Sequence, residues 1–124
     1  MLDHELRRED GLLIIRPRGP LRAEDFTALA TVVDPYIEEH GALRGIMVEA
    51  AAFPGWDSFA ALVSHLRFVR DHHRLVGKIA LVSDSSALAL APQLAKHFVK
   101  AEVRHFNANE REAALTWLRP TLSS

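Results

Sequence analysis

The chain has 124 residues, enough for one domain that buries roughly two-thirds of its unfolded surface without staples. Apolar residues make up 48% and charged residues 25%, as in an ordinary globular domain, and the absence of cysteine excludes disulfides, thiolate nucleophiles and Cys-ligated metal. The net charge of −1 hides an asymmetry. Residues 1–59 carry 6 Lys/Arg against 11 Asp/Glu, whereas residues 60–108 carry 7 against 3 and hold five of the seven histidines.

That asymmetry suits self-association, a homodimer included, or an anionic partner for the basic half, and it competes with a plain mixed surface. Nucleic acid is not expected as a partner, because the basic residues are dispersed and no recognition motif accompanies them. No apolar run reaches membrane-spanning length, and the first residues are charged rather than leader-like. The expectation is a cytoplasmic, soluble protein in one domain over 1–124.

In chain order, residues 5–18 read as a β-hairpin turning at Asp10-Gly11, a dipeptide suited to a tight primed turn. Leu12 to Ile15 are continuously apolar, which places that strand inside the sheet. Residues 22–40 form a helix with an apolar stripe of Phe26, Leu29, Ala30, Val33 and Ile37, a kink at Pro35 and a stop at Gly41. A buried strand at 44–50 leads to a helix at 57–72, and a strand at 77–83 to a helix over about 86–99, irregular before Pro92. A strand at 102–106 precedes a last helix at about 109–119, capped from Asn107 or Asn109. The order β-β-α-β-α-β-α-β-α implies an α/β fold: a mixed, mostly parallel five-stranded sheet with four helices and right-handed crossovers.

The junction at 44–59 draws most attention, since ligands of α/β proteins gather where strands hand over to helices. Phe53 and Trp56 flank a Pro54-Gly55 break that reads as a hinge, ahead of a helix start capped by Asp57 or Ser58. On that helix Phe59, Leu62, Val63, Leu66 and Val69 form the expected core stripe. At 100° per residue Phe68 then points away from the core, near His65 and His72. Three aromatics about one mobile helix suit a lid over an apolar pocket, a dimer face or shallow membrane contact. Phe53, Trp56 and Phe68 would supply apolar area there, while His65, Arg67 or Arg70 would meet an anionic headgroup or carboxylate.

Other chemistry finds little support. His72 and His73 project about 100° apart, and His65 and His72 lie two turns apart, too far to share one metal ion. No nucleophile elbow or phosphate loop occurs, so no cofactor is expected. Glu49, at a strand end, could serve a small enzyme as general base but has no partner in the sequence.

Three segments carry a resemblance: Gly-Pro-Leu-Arg-Ala-Glu-Asp-Phe at 19–26, Lys-Ile-Ala-Leu-Val-Ser-Asp at 78–84, and Glu-Val-Arg-His-Phe with Glu112–Leu118. With the element order, they resemble the SpoIIAA-like family, within the STAS and Sec14/CRAL-TRIO-like group. The resemblance implies a non-enzymatic domain that binds a small apolar or lipid-like ligand, as Sec14-like relatives do, or a regulatory protein partner. It also points to a phosphorylation switch of the anti-sigma-antagonist type at Asp57-Ser58. That stretch lacks one serine and the glycine of the sporulation-type motif, so plain capping competes with it. Asp84-Ser85-Ser86 looks closer to the motif but follows a different strand.

Overall fold

The computed structural model describes residues 2–119. Five strands form one sheet in sequential order: β1 (Leu2–Arg7), β2 (Leu12–Pro17), β3 (Leu43–Glu49), β4 (Val76–Val82) and β5 (Glu102–Phe106). β1 runs antiparallel to β2 and every other pair is parallel, as the alternation of strands and helices implies. The helices are α1 (Ala23–His40), α2 (Phe59–His72), α3 (Ser86–Ala95) and α4 (Arg111–Leu118).

α1 and the inner side of α2 cover one face of the sheet, α4 covers the other, and α3 packs beside β5. Two cores result. On the first face Leu13, Ile15 and Ile46 pack under Phe26, Leu29, Val33 and Ile37 of α1. On the second, Leu12, Ile14, Met47, Ala80 and Phe106 meet Ala114, Leu115 and Leu118 of α4. Consecutive residues of β2 thus serve opposite cores, which is why Leu12–Ile15 is apolar without a gap.

Local details depart from the sequence reading in three places. The β1–β2 connection is not a two-residue primed turn but spans Arg8–Gly11, since Arg7 pairs with Leu12. Only Gly11 takes a positive φ (67°), whereas the primed turn needs one at Asp10 too. Instead Asp10 N–H closes a turn on Arg7 C=O at 3.2 Å, and the Gly11 carbonyl accepts Arg44 N–H at 2.9 Å. A tertiary bond therefore helps set this loop.

α3 is regular ahead of Pro92, and that proline sits well inside it rather than in its first turn. Ala89 N–H already closes the first turn on Ser85 C=O at 3.0 Å, so the proline removes one later bond and not the nucleus. The last helix begins as a 3-10 turn at Ala108–Glu110, where Glu110 Oε1 accepts Asn107 N–H at 2.7 Å, the reciprocal half of a capping box. α1 continues through Pro35 to Gly41, whose positive φ (90°) ends it.

Candidate functional site

The segment after β3 is pinned to its neighbours. Ala50 N–H donates to Val82 C=O at 3.1 Å. Leu21 N–H donates to Gly55 C=O at 2.8 Å, and Asp57 N–H to Leu21 C=O at 2.9 Å, which makes a one-residue parallel bridge between Leu21 and Trp56. Gly55 takes φ +76° to reach that position. The Pro54-Gly55 break, read as a hinge, is thus tied to the entrance of α1. Ser58 caps α2, its Oγ accepting Ala61 N–H at 3.1 Å, while Asp57 is exposed.

α2 is turned the other way from the sequence expectation. Ala61, fully buried, shares its inner face with His65, Phe68 and His72, spaced four, three and four residues apart. Phe68 does not face away from the core: it packs against the buried cluster under α1. Of the stripe read as core, Phe59 (77%) and Leu66 (60%) are exposed, while Leu62, Val63 and Val69 are half-buried. The physical reason lies in the partners. Ala61 lets the helix come close, and both inner histidines find ring and hydrogen-bond partners that compensate for burial.

Those partners form a continuous stack. Phe53 meets Trp56 edge-on at 4.9 Å, and Trp56 Nε1–H donates to His65 Nδ1 at 3.1 Å. His65 stacks on Phe26 of α1 at 4.8 Å and 14°, Phe26 lies 6.1 Å from Phe68, and Phe68 stacks on His72 at 4.1 Å. His72 closes the row, with Nε2 2.7 Å from Asp34 Oδ1 and Nδ1 2.8 Å from Phe68 C=O. Both partners of His72 are oxygen acceptors. His65 meets a donor instead. It accepts the indole proton, and burial pushes its pKa below the ordinary histidine range, so the neutral ring is the folded form.

Of the residues singled out in the sequence, Phe53, Trp56, His65 and Phe68 therefore come together, as a seam between α1 and α2. Arg67 and Arg70 do not join them; both are exposed on the outer side of α2. Arg70 donates to Asp71 Oδ1 at 3.0 Å and holds that carboxyl below its usual range. α3 also carries exposed apolar residues: it buries none of its residues and exposes Leu90 and Leu94, with Phe98, 78% exposed, in the turn after it.

Glu49 sits on the α4 side of the sheet between two guanidiniums, Arg16 Nε at 3.1 Å and Arg111 Nε at 2.9 Å. This cross-brace joins β2, β3 and α4 and occupies both carboxylate oxygens, which is a poor setting for a general base. Asp84 Oδ1 accepts Ala108 N–H at 2.9 Å, and Ser85 N–H donates to Ser83 Oγ at 3.0 Å, so Asp84-Ser85-Ser86 makes a strand exit and a helix entry. Among the described residues no group of three His, Cys, Asp or Glu converges on a metal position, and no helix is long and apolar enough to cross a membrane. A cleft of about 500 Å³ lies at the opposite end of the strands, lined by Tyr36, His40, Arg44 and Arg74, none of which stood out in the sequence.

Comparison with known proteins places this geometry. A family model described as SpoIIAA-like matches residues 12–119. The structure is similar to that of an uncharacterised protein of the DUF3478 family with a SpoIIAA-like fold, from Shewanella loihica PV-4. The TM-score is 0.70 at 19% identity, over 95% of this chain and 92% of that one, a likeness of fold. No curated protein matches the sequence.

Proposed function

The chain belongs to the SpoIIAA-like family, and on that premise we propose that it is a non-catalytic binding domain for apolar or amphipathic, lipid-like molecules, associating peripherally with anionic membrane surfaces. The observation that carries this reading is the outer surface of α2 and α3, where Phe59, Leu66, Leu90, Leu94 and Phe98 are all at least 60% exposed. Single exposed apolar residues are ordinary, but five large ones on two helices and the turn after them are not. Exposed cations accompany them: Arg67 and Arg70 on α2, Lys96 and Lys100 after α3.

Partial insertion of such side chains gains roughly 1 kcal/mol each, and each nearby cation adds about 1 kcal/mol at an anionic surface. Together these suffice for reversible association without a covalent lipid. The Phe53–Trp56–His65–Phe68 row runs along the α1 side of α2, with Phe53 and Trp56 at its exposed end.

Co-sedimentation of the full chain with phosphatidylglycerol vesicles and with neutral phosphatidylcholine vesicles tests the proposal. Binding to the anionic vesicles, weakened severalfold by Phe59→Ser with Leu66→Ser and by Arg67→Gln with Arg70→Gln, is expected. Equal recovery in the supernatant with both vesicle types, together with no fatty acid or lipid in native mass spectra, would refute it.

A further inference from the structure

The cleft at the other end of the sheet is built from three separated pieces of chain. The last turn of α1 contributes Tyr36 and His40, the start of β3 contributes Leu43 and Arg44, and the turn into β4 contributes Arg74 and Val76. Parallel pairing of Leu43 with Val76 sets the second and third pieces side by side. Rigid contacts hold the wall on the α1 side. Tyr36 is buried, its hydroxyl donates to Arg8 C=O at 3.3 Å, and His40 stacks on its ring at 4.1 Å and 16°. Gly77 belongs here because a Cβ would stand 2.9 Å from the Arg44 carbonyl oxygen. The cleft is therefore present without rearrangement, and its volume of about 500 Å³ is that of a small-molecule site.

Its charge is one-sided. Arg7, Arg8, Arg16, Arg18, Arg70 and Arg111 each pair with a carboxylate, and Arg104 lies over the rings of Phe106 and Trp117. Among the described residues, the guanidiniums of Arg44 and Arg74, like that of Arg67 on α2, have neither a carboxylate nor an aromatic ring; Arg44 and Arg74 are exposed and both line this cleft, whose lining contains no Asp or Glu. At the α1 terminus His40 Nδ1 meets the Tyr36 carbonyl at 3.1 Å and Gly41 N–H the Ile37 carbonyl at 2.6 Å. Two unneutralised planar forks at a concave surface attract an anion and offer bidentate donors to a phosphate or a carboxylate. Leu43, Leu75 and Val76 supply apolar wall beside them.

We infer that this cleft binds a small organic anion, a phosphate or carboxylate head on an apolar body, with Arg44 and Arg74 holding the head. The site shares no residue with the outer surface of α2 and α3, so the vesicle assay and the one below succeed or fail separately.

Titration of the full chain with inorganic phosphate, phenyl phosphate and benzoate, followed by amide NMR shifts and calorimetry, provides the test. Saturable binding of phenyl phosphate or benzoate, tighter than inorganic phosphate, is expected, and comparison of the two organic anions identifies the preferred head. Arg44→Gln and Arg74→Gln should each weaken binding about tenfold or more. Arg104→Gln, on the other face of the sheet, should leave it unchanged. Arg44→Lys and Arg74→Lys should keep part of the affinity, which separates charge from fold. Arg74→Gln lies in an exposed turn and serves alone if Arg44→Gln unfolds. No saturable binding of any of the three anions up to about 10 mM overturns the inference. So does a folded Arg74→Gln variant that binds like the wild type.

Discussion

The orientation of α2 decides which of its aromatics hold the fold and which face outward, and a pair of truncations measures it. Phe68 packs on the core under α1, 6.1 Å from Phe26 and stacked on His72 at 4.1 Å, while Phe59 is 77% exposed on the opposite side of the same helix. Truncating a fully buried Phe to Ala costs about 3–5 kcal/mol. Phe68 is only partly buried, which roughly halves that figure, and loss of the His72 stack adds a fraction back. Phe68→Ala should therefore destabilise by about 2 kcal/mol, a fall in Tm of roughly 8 °C for a domain of this size. Phe59→Ala removes a side chain already in water and should stay within about 0.5 kcal/mol of wild type. Urea unfolding followed by far-UV circular dichroism reads both without relying on tryptophan near the mutated sites. If Phe59→Ala costs more than about 1.5 kcal/mol while Phe68→Ala is neutral, the inward face has been misassigned and the outer-surface argument falls with it.

Burial lowers the pKa of His65, so the folded ring stays neutral where the unfolded one charges, and this contribution to stability fades as pH falls through the unfolded histidine range, about 6.5, toward the lower folded value. The stability difference between wild type and His65→Phe should accordingly shift against the wild type between about pH 7.5 and 5.5; a difference that stays flat across that range refutes the assignment. Gly77→Ala places a Cβ 2.9 Å from the Arg44 carbonyl and should cost about 1–3 kcal/mol, whereas Gly19→Ala, with nothing within 4 Å, should be neutral or slightly stabilising; chemical denaturation compares the two. Ser58→Ala loses the cap on Ala61 N–H and should cost about 1 kcal/mol, while Asp57→Ala should do much less; equal losses at both positions would move the cap to Asp57.

β3 and β4 were legible because a buried parallel strand needs an apolar run, and each starts one residue before expectation; β5, an edge strand with alternating burial, falls on the expected 102–106. The orientation of α2 was not legible, because apolar spacing counts side chains by hydrophobicity alone. Phe59, Leu62, Val63, Leu66 and Val69 outweigh Ala61, His65, Phe68 and His72 on any such count. The inner face prevails through partners that no local window contains: Asp34, 38 residues before His72, and Phe26, under His65. The gathering of Phe53, Trp56, His65 and Phe68 was foreseen, but about an outward-facing Phe68 and a free hinge; Phe68 faces the core, and the Leu21 bridge that pins Gly55 and Asp57 comes from a distant turn. The anion cleft escaped because its two arginines sit 30 residues apart and become neighbours only when β3 and β4 pair.

The arrangement of α2 bears on function as well as on fold. An amphipathic helix normally turns its larger apolar stripe to the core, because that gains the most from burial. Here the stripe turned inward is the weaker one. It is held by directional contacts, Trp56 to His65 and His72 to Asp34, while Phe59 and Leu66 of the stronger stripe meet water. Phe59 and Leu66 are thereby left for burial against acyl chains or another apolar surface. Directional anchoring also fixes which way the helix faces, since sliding or rolling α2 breaks both histidine contacts at once. A helix so held presents Phe59 and Leu66 outward in one register, with Arg67 and Arg70 beside them. That is the geometry a shallow contact with an anionic, apolar surface requires.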